Sequence, residues 1–302
     1  MDTNVSWVRE LRPCPGCQSE SYLRLGRRGG ASHISSLGEE TAIVRCRKCH
    51  LVYPRPFLIP QGNPYESHSP DNYFALHNSD QKIQSGRALA QKAAERLGRK
   101  GRLLELGCGR GELLLGAREE GWDVAGVEMT SAFAAANPEL RVEVAPVEDA
   151  RSLDGHEKYD VVLLAAILEH LYDPASCLRR VRGCLADDGI VFIDVPNECS
   201  LWTRTGNAYF HLRGRDWATN LSPTFPPFHV VGFCPPSLRR MLVSCGFSVE
   251  SLRTERWSNA LPPRKGLLAN MERLGSSAIL TAGHIFGMGA GITCWARAAS
   301  EP

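Results

Sequence analysis

Two C-x-x-C turns carry the clearest chemistry in this chain. Cys14-Pro-Gly-Cys17 and Cys46-Arg-Lys-Cys49 flank a stretch rich in Gly and Ser. Each turn can point two thiolates at one centre, and four thiolates form the closed tetrahedral shell of a structural zinc ion. The sequence therefore predicts one structural zinc bound by Cys14, Cys17, Cys46 and Cys49. The alternatives are two unrelated pairs of buried cysteines, or a redox C-x-x-C without the βαβ pattern that usually surrounds one.

A glycine-rich loop with acidic neighbours forms a second candidate site. The loop Gly107-Cys-Gly-Arg-Gly111 lies between a strand pattern and a helix pattern, so its backbone can approach a ligand closely. Its spacing differs from the G-x-G-x-x-G of pyrophosphate-binding loops, and Glu105 precedes it. A carboxylate suits a ligand that carries an ammonium group better than one that carries pyrophosphate. Glu128, after the second strand, could accept hydrogen bonds from both ribose hydroxyls, and Glu148 and Asp149 could accept from an adenine amino group.

Two histidines are candidate general bases. His170 follows the fourth strand pattern, at the edge where an open parallel sheet binds its substrates, and His229 closes an irregular stretch. An imidazole titrates near neutrality, so either could take a proton from an alcohol or phenol. The structural alternatives are that His170 orients the next helix and that the irregular stretch packs on the sheet edge. That stretch carries Trp202, Tyr209, Phe210, His211, Trp217, Phe225 and Phe228, which favours a substrate lid.

These residues require a scaffold of alternating strands and helices. Apolar runs at 101–106, 122–128, 142–145, 159–165, 190–195, 247–252 and 290–298 alternate with helical patterns. Such alternation is typical of a parallel sheet with crossover helices. The expected fold class is α/β, a doubly wound, mostly parallel, seven-stranded Rossmann-like sheet with an antiparallel last strand and an N-terminal zinc ribbon.

The same patterns divide the chain into three parts. Residues 1–60 are expected to form the zinc-ribbon module and 61–100 a linker and helix. Residues 101–302 are expected to form the catalytic domain, with the lid insertion at 196–233. Helical spacing also predicts that Asp173 and Pro174 open a helix with Leu178, Val181 and Leu185 on its inner face.

Composition limits the class of protein. The chain has 302 residues, of which 43% are hydrophobic and 23% charged, which excludes a disordered or collagen-like protein. A start without a basic and then apolar segment predicts a cytoplasmic protein, whose cysteines remain reduced. Residues 276–296 lack charged side chains, but their glycines favour a short helix and a buried strand over a membrane span. The first hundred residues are mildly basic, which suits a solvated face or an anionic partner.

Several motifs together resemble class I S-adenosylmethionine-dependent methyltransferases. The resemblance covers residues 100 to 255 and rests on ELGCGRGELL, GVEMT, APVEDA and KYDVVLLAAILEHLYDP. Within this family, the chain is most similar to bacterial zinc-ribbon enzymes. That narrower resemblance rests on the two cysteine turns, on VPN at 195–197 and on PPFHVVGFCPPSLRRML before GF. Enzymes of that subgroup act on small molecules, often in saccharide or secondary-metabolite pathways.

The resemblance implies a cofactor, S-adenosylmethionine, and a role for particular residues. By this likeness Gly107 and Gly109 line its methionine portion, and Glu128 binds its ribose. Val147 and Glu148 flank the adenine, while Ala165 lies beside the ammonium, near the acidic Glu105. Some quinone-pathway methyltransferases have an E-x-x-E-H motif here whose acidic residues hold a metal. This chain departs from that pattern, because Ala166 occupies the first position and only Glu169 and His170 remain.

The expected reaction is methyl transfer from S-adenosylmethionine to an oxygen, or else a carbon or nitrogen, of a small polar metabolite. No membrane or nucleic-acid partner is expected. The sequence leaves the acceptor, the methylated atom and the oligomeric state open. Three alternatives remain: a Rossmann domain for another nucleotide, an RNA base methyltransferase with a zinc-ribbon recognition module, and a binding-only scaffold. The N/D-P-P-Y/F tetrapeptide used on exocyclic amines is absent, which weighs against the RNA base enzyme.

Overall fold

Two small antiparallel sheets form the N-terminal part of the protein. A computed structural model describes residues 6–32, 36–64, 78–257 and 266–299. Strands β1 (Trp7–Glu10) and β5 (Phe57–Pro60) pair with each other, and β2 (Tyr22–Arg28), β3 (Thr41–Cys46) and β4 (Val52–Arg55) form a three-stranded sheet. A single 3-10 turn, Gly30–Ser32, follows β2.

The N-terminal sheets are continuous with the rest of the core. Leu51, Tyr53 and Phe57 belong to the same buried cluster as Leu104 and Leu164 of the central sheet. Val52 and Gly232 exchange two backbone hydrogen bonds, N to O, of 2.9 and 2.7 Å. The cysteine-bearing module is therefore packed onto the large domain and shares its hydrophobic core.

A seven-stranded sheet forms the centre of the molecule and confirms the predicted fold class. Its order is β11-β12-β10-β9-β6-β7-β8, and all neighbouring pairs are parallel except the two made by β12. Polar residues are scarce in the inner strand β9, YDVVLLA, because a parallel strand is covered on both faces. The strands are β6 (Arg102–Leu106), β7 (Asp123–Glu128), β8 (Arg141–Val144), β9 (Tyr159–Ala165), β10 (Leu185–Pro196), β11 (Phe247–Glu255) and β12 (Gly291–Ala298).

Seven helices are described around the sheet. They are α1 (Ser79–Leu97), α2 (Glu112–Glu119), α3 (Ser131–Ala134), α4 (Pro174–Cys184), α5 (Leu201–Leu212), α6 (Pro235–Ser244) and α7 (Leu267–Ile285). Single 3-10 turns occur at Val147–Asp149, Arg151–Leu153 and Leu168–His170. Helix α1 begins where the Asn78 side chain accepts from the Gln81 N–H at 3.1 Å. The linker residues 65–77, in the predicted 61–100 segment, lie outside the described part.

Helices α1 and α2 touch through their backbones, and glycine makes that possible. A Cβ on Gly86 would lie 2.3 Å from the Leu113 carbonyl oxygen, and one on Gly116 would lie 2.1 Å from that of Ile83. Any larger residue would push the two helices apart. This contact fixes α1 beside the glycine loop that precedes α2.

Three local expectations were wrong in detail. The insertion at 196–233 is not irregular throughout, because it contains the 12-residue helix α5. The helix opened by Asp173 ends at Cys184, so the buried Leu185 is the first residue of β10 and not the last inner position of the helix. The apolar stretch 276–296 holds the end of α7 and the buried β12, so the predicted helix and buried strand are present, but α7 has 19 residues and is not short. No helix in the described ranges combines the length and apolarity needed to cross a membrane.

Candidate active site and cysteine cluster

A cavity of about 980 Å³ lies at the carboxyl ends of the parallel strands. The strands β6, β7 and β9 end there together, as is usual for ligand sites of open α/β sheets. All nine cofactor and base candidates from the sequence line it: Glu105, Gly107, Gly109, Glu128, Val147, Glu148, Ala165, His170 and His229.

The glycine loop needs its glycines for steric reasons. Gly107 and Gly109 have φ angles of 68° and 56°, in the left-handed region that side chains rarely adopt. A Cβ on Gly107 would also lie 2.7 Å from Cδ1 of Ile167, so it would fill the cradle. The loop thus exposes bare backbone to the cavity.

Glu128 ties this loop to the second strand of the parallel series. Its Oε2 accepts from the Gly109 N–H at 2.9 Å, and its Oε1 accepts from the Thr130 N–H at 2.8 Å. Burial raises the pKa of this carboxyl, while the two backbone donors oppose that rise. A carboxylate has about four lone-pair sites, so each oxygen retains capacity for a hydroxyl of a bound ribose.

Glu105 offers an unsatisfied acceptor beside the same loop. It is 4% exposed, and within the described ranges its Oε2 has no hydrogen-bond partner. Burial raises the pKa of this carboxyl well above its ordinary value. A buried, orphaned carboxyl oxygen beside an open cradle fits a ligand that brings a positive charge.

The turn Val147–Asp149, at the predicted adenine side of the cavity, is held from behind by Arg180. The guanidinium donates from Nη1 to the carbonyls of Val147 at 3.1 Å and Glu148 at 2.6 Å. Its Nη2 donates to the carbonyl of Ala150 and to Asp154. Arg180 therefore fixes the backbone of this turn without entering the cavity.

The two candidate bases meet in the same cavity. After β9 the chain turns at Ala166, whose φ is 55°, into the 3-10 turn Leu168–His170. The carbonyl of Glu169 accepts from the N–H groups of Val230 and Val231 at 2.8 and 3.0 Å. These bonds bring His229 over the turn, so the His170 and His229 rings stand edge-on with centroids 4.8 Å apart.

Burial changes the acid–base properties of both rings. It lowers the pKa of His170 to about 4 and that of His229 to about 3. The expectation of an unassisted base near neutrality was wrong, because desolvation disfavours the imidazolium. Both rings are held in the neutral form that can accept a proton.

A buried carboxyl lies behind these rings. Glu169 is 1% exposed, and neither of its oxygens has a hydrogen-bond partner in the described part of the chain. Its Oε1 lies 3.9 Å from Nε2 of His229, and one side-chain nitrogen or oxygen from each of Glu169, His170 and His229 lies within 4.8 Å of the others. Burial raises the pKa of Glu169 to about 8.

The sequence reasoning missed the far wall of the cavity. Phe192 and Asp194 of β10, Glu255 of β11, and Thr293 and Trp295 of β12 line it. The Phe192 and Trp295 rings lie 5.0 Å apart, and within the described residues Oδ1 of Asp194 has no hydrogen-bond partner. The signal was available, since Asp194 interrupts the apolar run of its strand near its carboxyl end.

Two aromatic rings of the 196–233 insertion, those of Trp217 and Phe225, pack against the N-terminal module. Arg28 lies 4.9 Å from the Trp217 ring and 5.3 Å from the Phe225 ring, and Phe210 stacks on Trp217 at 5.0 Å. Of the seven residues named for the predicted lid, only Phe228 lines the cavity. The structure thus brings the end of the insertion, not its aromatic helix, to the cavity.

The four cysteines of the two C-x-x-C turns converge on one point. The Sγ atoms of Cys14 and Cys49 are 3.4 Å apart, those of Cys17 and Cys46 are 3.5 Å apart, and all four lie within 4.8 Å. The edge of a zinc tetrathiolate tetrahedron is about 3.8 Å, from a Zn–S distance of about 2.3 Å. The Cys46 sulfur also accepts from the Lys48 and Cys49 N–H groups at 3.3 and 3.4 Å. The cluster fits a zinc ion.

Comparison with known proteins agrees with this geometry. Residues 77–252 match the methyltransferase domain family, which is more than half of the chain. Together with the seven-stranded sheet and the glycine-loop cavity, this match defines the class of protein. The chain belongs to the class I S-adenosylmethionine-dependent methyltransferase family.

Individual relatives are more distant. The chain is 28% identical over 160 residues to the ubiquinone biosynthesis O-methyltransferase of Aeromonas salmonicida, covering 50% of this chain and 64% of that protein. It is 30% identical over 138 residues to the Pseudomonas aeruginosa enzyme of that name, covering 43% and 57%. These matches span less than two thirds of either relative. The plantazolicin methyltransferase BpumL, solved in complex with SAH, shares the fold with a TM-score of 0.51 and 11% identity over 78% of this chain and 93% of that one.

Proposed function

We propose that this protein transfers the methyl group of S-adenosylmethionine to an oxygen of a small polar metabolite. The observation that carries the proposal is one cavity that joins a glycine cradle with carboxyl acceptors to two buried neutral imidazoles. Oxygen acceptors need a base for their proton, whereas a nitrogen with a free lone pair does not. The imidazoles therefore favour oxygen over nitrogen.

The chain's own residues would hold the cofactor as follows. Gly107 and Gly109 admit its methionine portion, Glu105 neutralises the ammonium, and Glu128 accepts from the ribose hydroxyls. Val147 and Glu148 flank the adenine, and Ala165 lies beside the methionine portion. The cofactor supplies a methyl group on a sulfonium whose departure needs no acid from the protein.

His229 is proposed as the base for the acceptor, with His170 orienting the substrate beside it. As the acceptor oxygen forms its bond to the methyl carbon, the carbon–sulfur bond breaks and its electron pair stays on sulfur. The acceptor's proton passes to the imidazole of His229 and later to water. The products are a methyl ether, a neutral thioether and one proton.

The far wall of the cavity supports a polyhydroxylated acceptor such as a saccharide. Asp194 and Thr293 are paired in register across β10 and β12, so both present polar atoms on one face. Trp295 and Phe192 add ring surface next to them. Hydroxyls on a small ring could donate to Asp194 while the apolar face of that ring packs on Trp295. A cavity of about 980 Å³ suits a small molecule beside the cofactor, since ligand pockets run from about 300 to 1,000 Å³.

Zinc is proposed as a structural ion in the four-cysteine cluster. A shell of four thiolates leaves no open position for water or substrate. The ion would fix the two C-x-x-C turns relative to each other, inside the core that the N-terminal sheets share with the central sheet.

The experiment that tests the function combines an acceptor screen with a base variant. Saccharides and phenols are offered with methyl-labelled cofactor, and the best acceptor is assayed with His229→Ala. This variant should keep its affinity for S-adenosylhomocysteine and lose turnover by roughly 10²–10⁴-fold, the usual size of a general-base contribution.

A matched control is His211→Ala, because His211 lies on the exposed side of the same insertion. It should turn over normally. If His229→Ala also turned over normally, the base assignment would be wrong. A wild type that methylated RNA and no small molecule would support the RNA base methyltransferase instead.

A further inference from the structure

We propose that Glu169 is a positioning residue that acts through His229, forming a carboxyl–imidazole pair that receives the acceptor's proton. This inference rests on the proposed methyl transfer and adds a residue that does not line the cavity. The proposal follows from the order of the groups: the His229 imidazole lines the cavity, and the buried Glu169 carboxyl lies behind that imidazole.

The carboxyl of Glu169 lacks a structural reason for its position. Its oxygens have no hydrogen-bond partner within the described residues, although a buried polar group without one destabilises the folded protein. The backbone carbonyl of the same residue already fixes the turn through Val230 and Val231. The side chain is therefore not needed to hold the turn, and its cost requires another explanation.

The nearest basic atom to this carboxyl supplies that explanation. Nε2 of His229 lies 3.9 Å from Oε1 of Glu169, so a shift of about 1 Å would form a hydrogen bond of about 2.9 Å. The other titratable groups that face the pair are His170 from the same turn and Asp194 from β10, with Glu255 beside Asp194. The two carboxyls disfavour a further negative charge, so a positive charge nearby is needed for Glu169 to ionise.

Methyl transfer supplies such a charge at each stage. Before transfer the site holds the sulfonium and the Glu169 carboxylate, and after transfer it holds a neutral thioether and an imidazolium–carboxylate pair. The net charge of the site is the same in both states. No oxidant or further reactant is required, because the acceptor's proton is the one that His229 gains.

Without an anionic partner, His229 would be a weak base for an alcohol or phenol. Burial lowers the pKa of His229 to about 3. An opposite charge within about 4–6 Å typically moves a pKa by about 1–3 units toward the charged form. An ionised Glu169 therefore raises the proton affinity of His229, while a neutral amide in its place would not.

The test uses the full-length protein with Glu169→Gln, which keeps the size of the side chain and removes its charge. Histidine ring signals are followed by NMR across pH in the wild type and in the variant, with S-adenosylmethionine bound and no acceptor present, because its sulfonium supplies the positive charge that Glu169 needs to ionise. The protonation step of His229 is expected to fall by about one to three pH units in Glu169→Gln. An unchanged His229 titration would overturn the proposal, whether or not an acceptor is known, so this readout is independent of the methyl-transfer assay.

Steady-state kinetics of Glu169→Gln distinguish a positioning role of Glu169 from a merely structural one. With an acceptor that the wild type methylates, Glu169→Gln should lower kcat by roughly 10–10²-fold, which is less than the loss expected on removing the base itself. The acid limb of the pH–rate profile should also move to lower pH. The direction follows because removal of an anion makes the neighbouring imidazolium easier to deprotonate.

Glu198→Gln is the matched control, since Glu198 is also buried but its Oε1 accepts from Asn220 at 2.9 Å. This variant should leave the acid limb of the pH–rate profile where it is in the wild type. A metal site would give a different result: a chelator would abolish turnover, Mn²⁺ would restore it, and Glu169→Gln would no longer bind Mn²⁺. That outcome would overturn the proposed pairing of Glu169 with His229.

Discussion

Removal of the Glu128 carboxyl should weaken cofactor binding in a way that separates two roles of this side chain. Its oxygens accept from the N–H groups of Gly109 and Thr130 at 2.9 and 2.8 Å. Those bonds lie within the protein and are expected to be kept in the complex, so their loss in Glu128→Ala should lower stability and largely cancel in the binding equilibrium. The bonds to two ribose hydroxyls form only in the complex. Their loss should cost about 1.5–3 kcal/mol, the range for hydrogen bonds to a charged group, or roughly 10- to 150-fold in Kd.

Titration calorimetry with S-adenosylhomocysteine measures that change, and thermal unfolding measures the loss of the loop contacts. Glu143→Ala is a matched control: the Glu143 carboxylate also accepts two backbone N–H groups, from Arg151 and Ser152 at 2.7 and 2.9 Å, but does not line the cavity. It should lower stability and leave Kd unchanged. If Glu128→Ala lost stability but bound within twofold of the wild type, the ribose assignment would be wrong. Burial raises the Glu128 pKa, so affinity should begin to fall on acidification at a higher pH than an ordinary glutamate would give.

Two further predictions concern the acceptor wall and the cysteine cluster. Asp194→Asn should raise the acceptor KM by roughly 10-fold or more through loss of a charged hydrogen-bond acceptor, with S-adenosylhomocysteine affinity unchanged in calorimetry; an unchanged KM would remove Asp194 from the acceptor site. Cys46→Ser should lower zinc from about one ion per chain, by elemental analysis, and lower the unfolding temperature. Cys199→Ser should keep the metal, since Cys199 lies outside the cluster, and full zinc in Cys46→Ser would defeat the assignment.

Strand periodicity and the glycine loop were sufficient to predict the sheet, because each signal is local. The run at 159–165 became β9 with those bounds, since a short apolar run between turn signals is typical of a strand covered on both faces. Residues next to strand ends, such as Glu105 and Glu128, reached the cavity for the same reason. Their contacts with a cofactor stay predictions.

What the sequence could not supply depends on distant contacts. Arg28 and Trp217 are far apart in the chain, so their packing left no local signal, and the aromatic content of the insertion was misread as a lid. The desolvation of His170 and His229 likewise comes from elements that meet only in the folded protein. Asp194 is the exception, because a polar residue inside an apolar strand is visible in the sequence.

The path from the cysteine cluster to the active site is short. Val52, which lies three residues after Cys49, exchanges two backbone hydrogen bonds with Gly232. Gly232 follows Val231, whose N–H binds the Glu169 carbonyl, and His229 is two residues further back. The segment that carries the proposed base is therefore held between the N-terminal sheet on one side and the 3-10 turn after β9 on the other. The glycine loop is held instead by Glu128, whose carboxylate accepts from the Gly109 N–H, so loss of the cluster's geometry should reduce turnover more than cofactor affinity. On this reasoning the N-terminal module serves catalysis by holding one histidine in place, and it need not touch the substrate to do so.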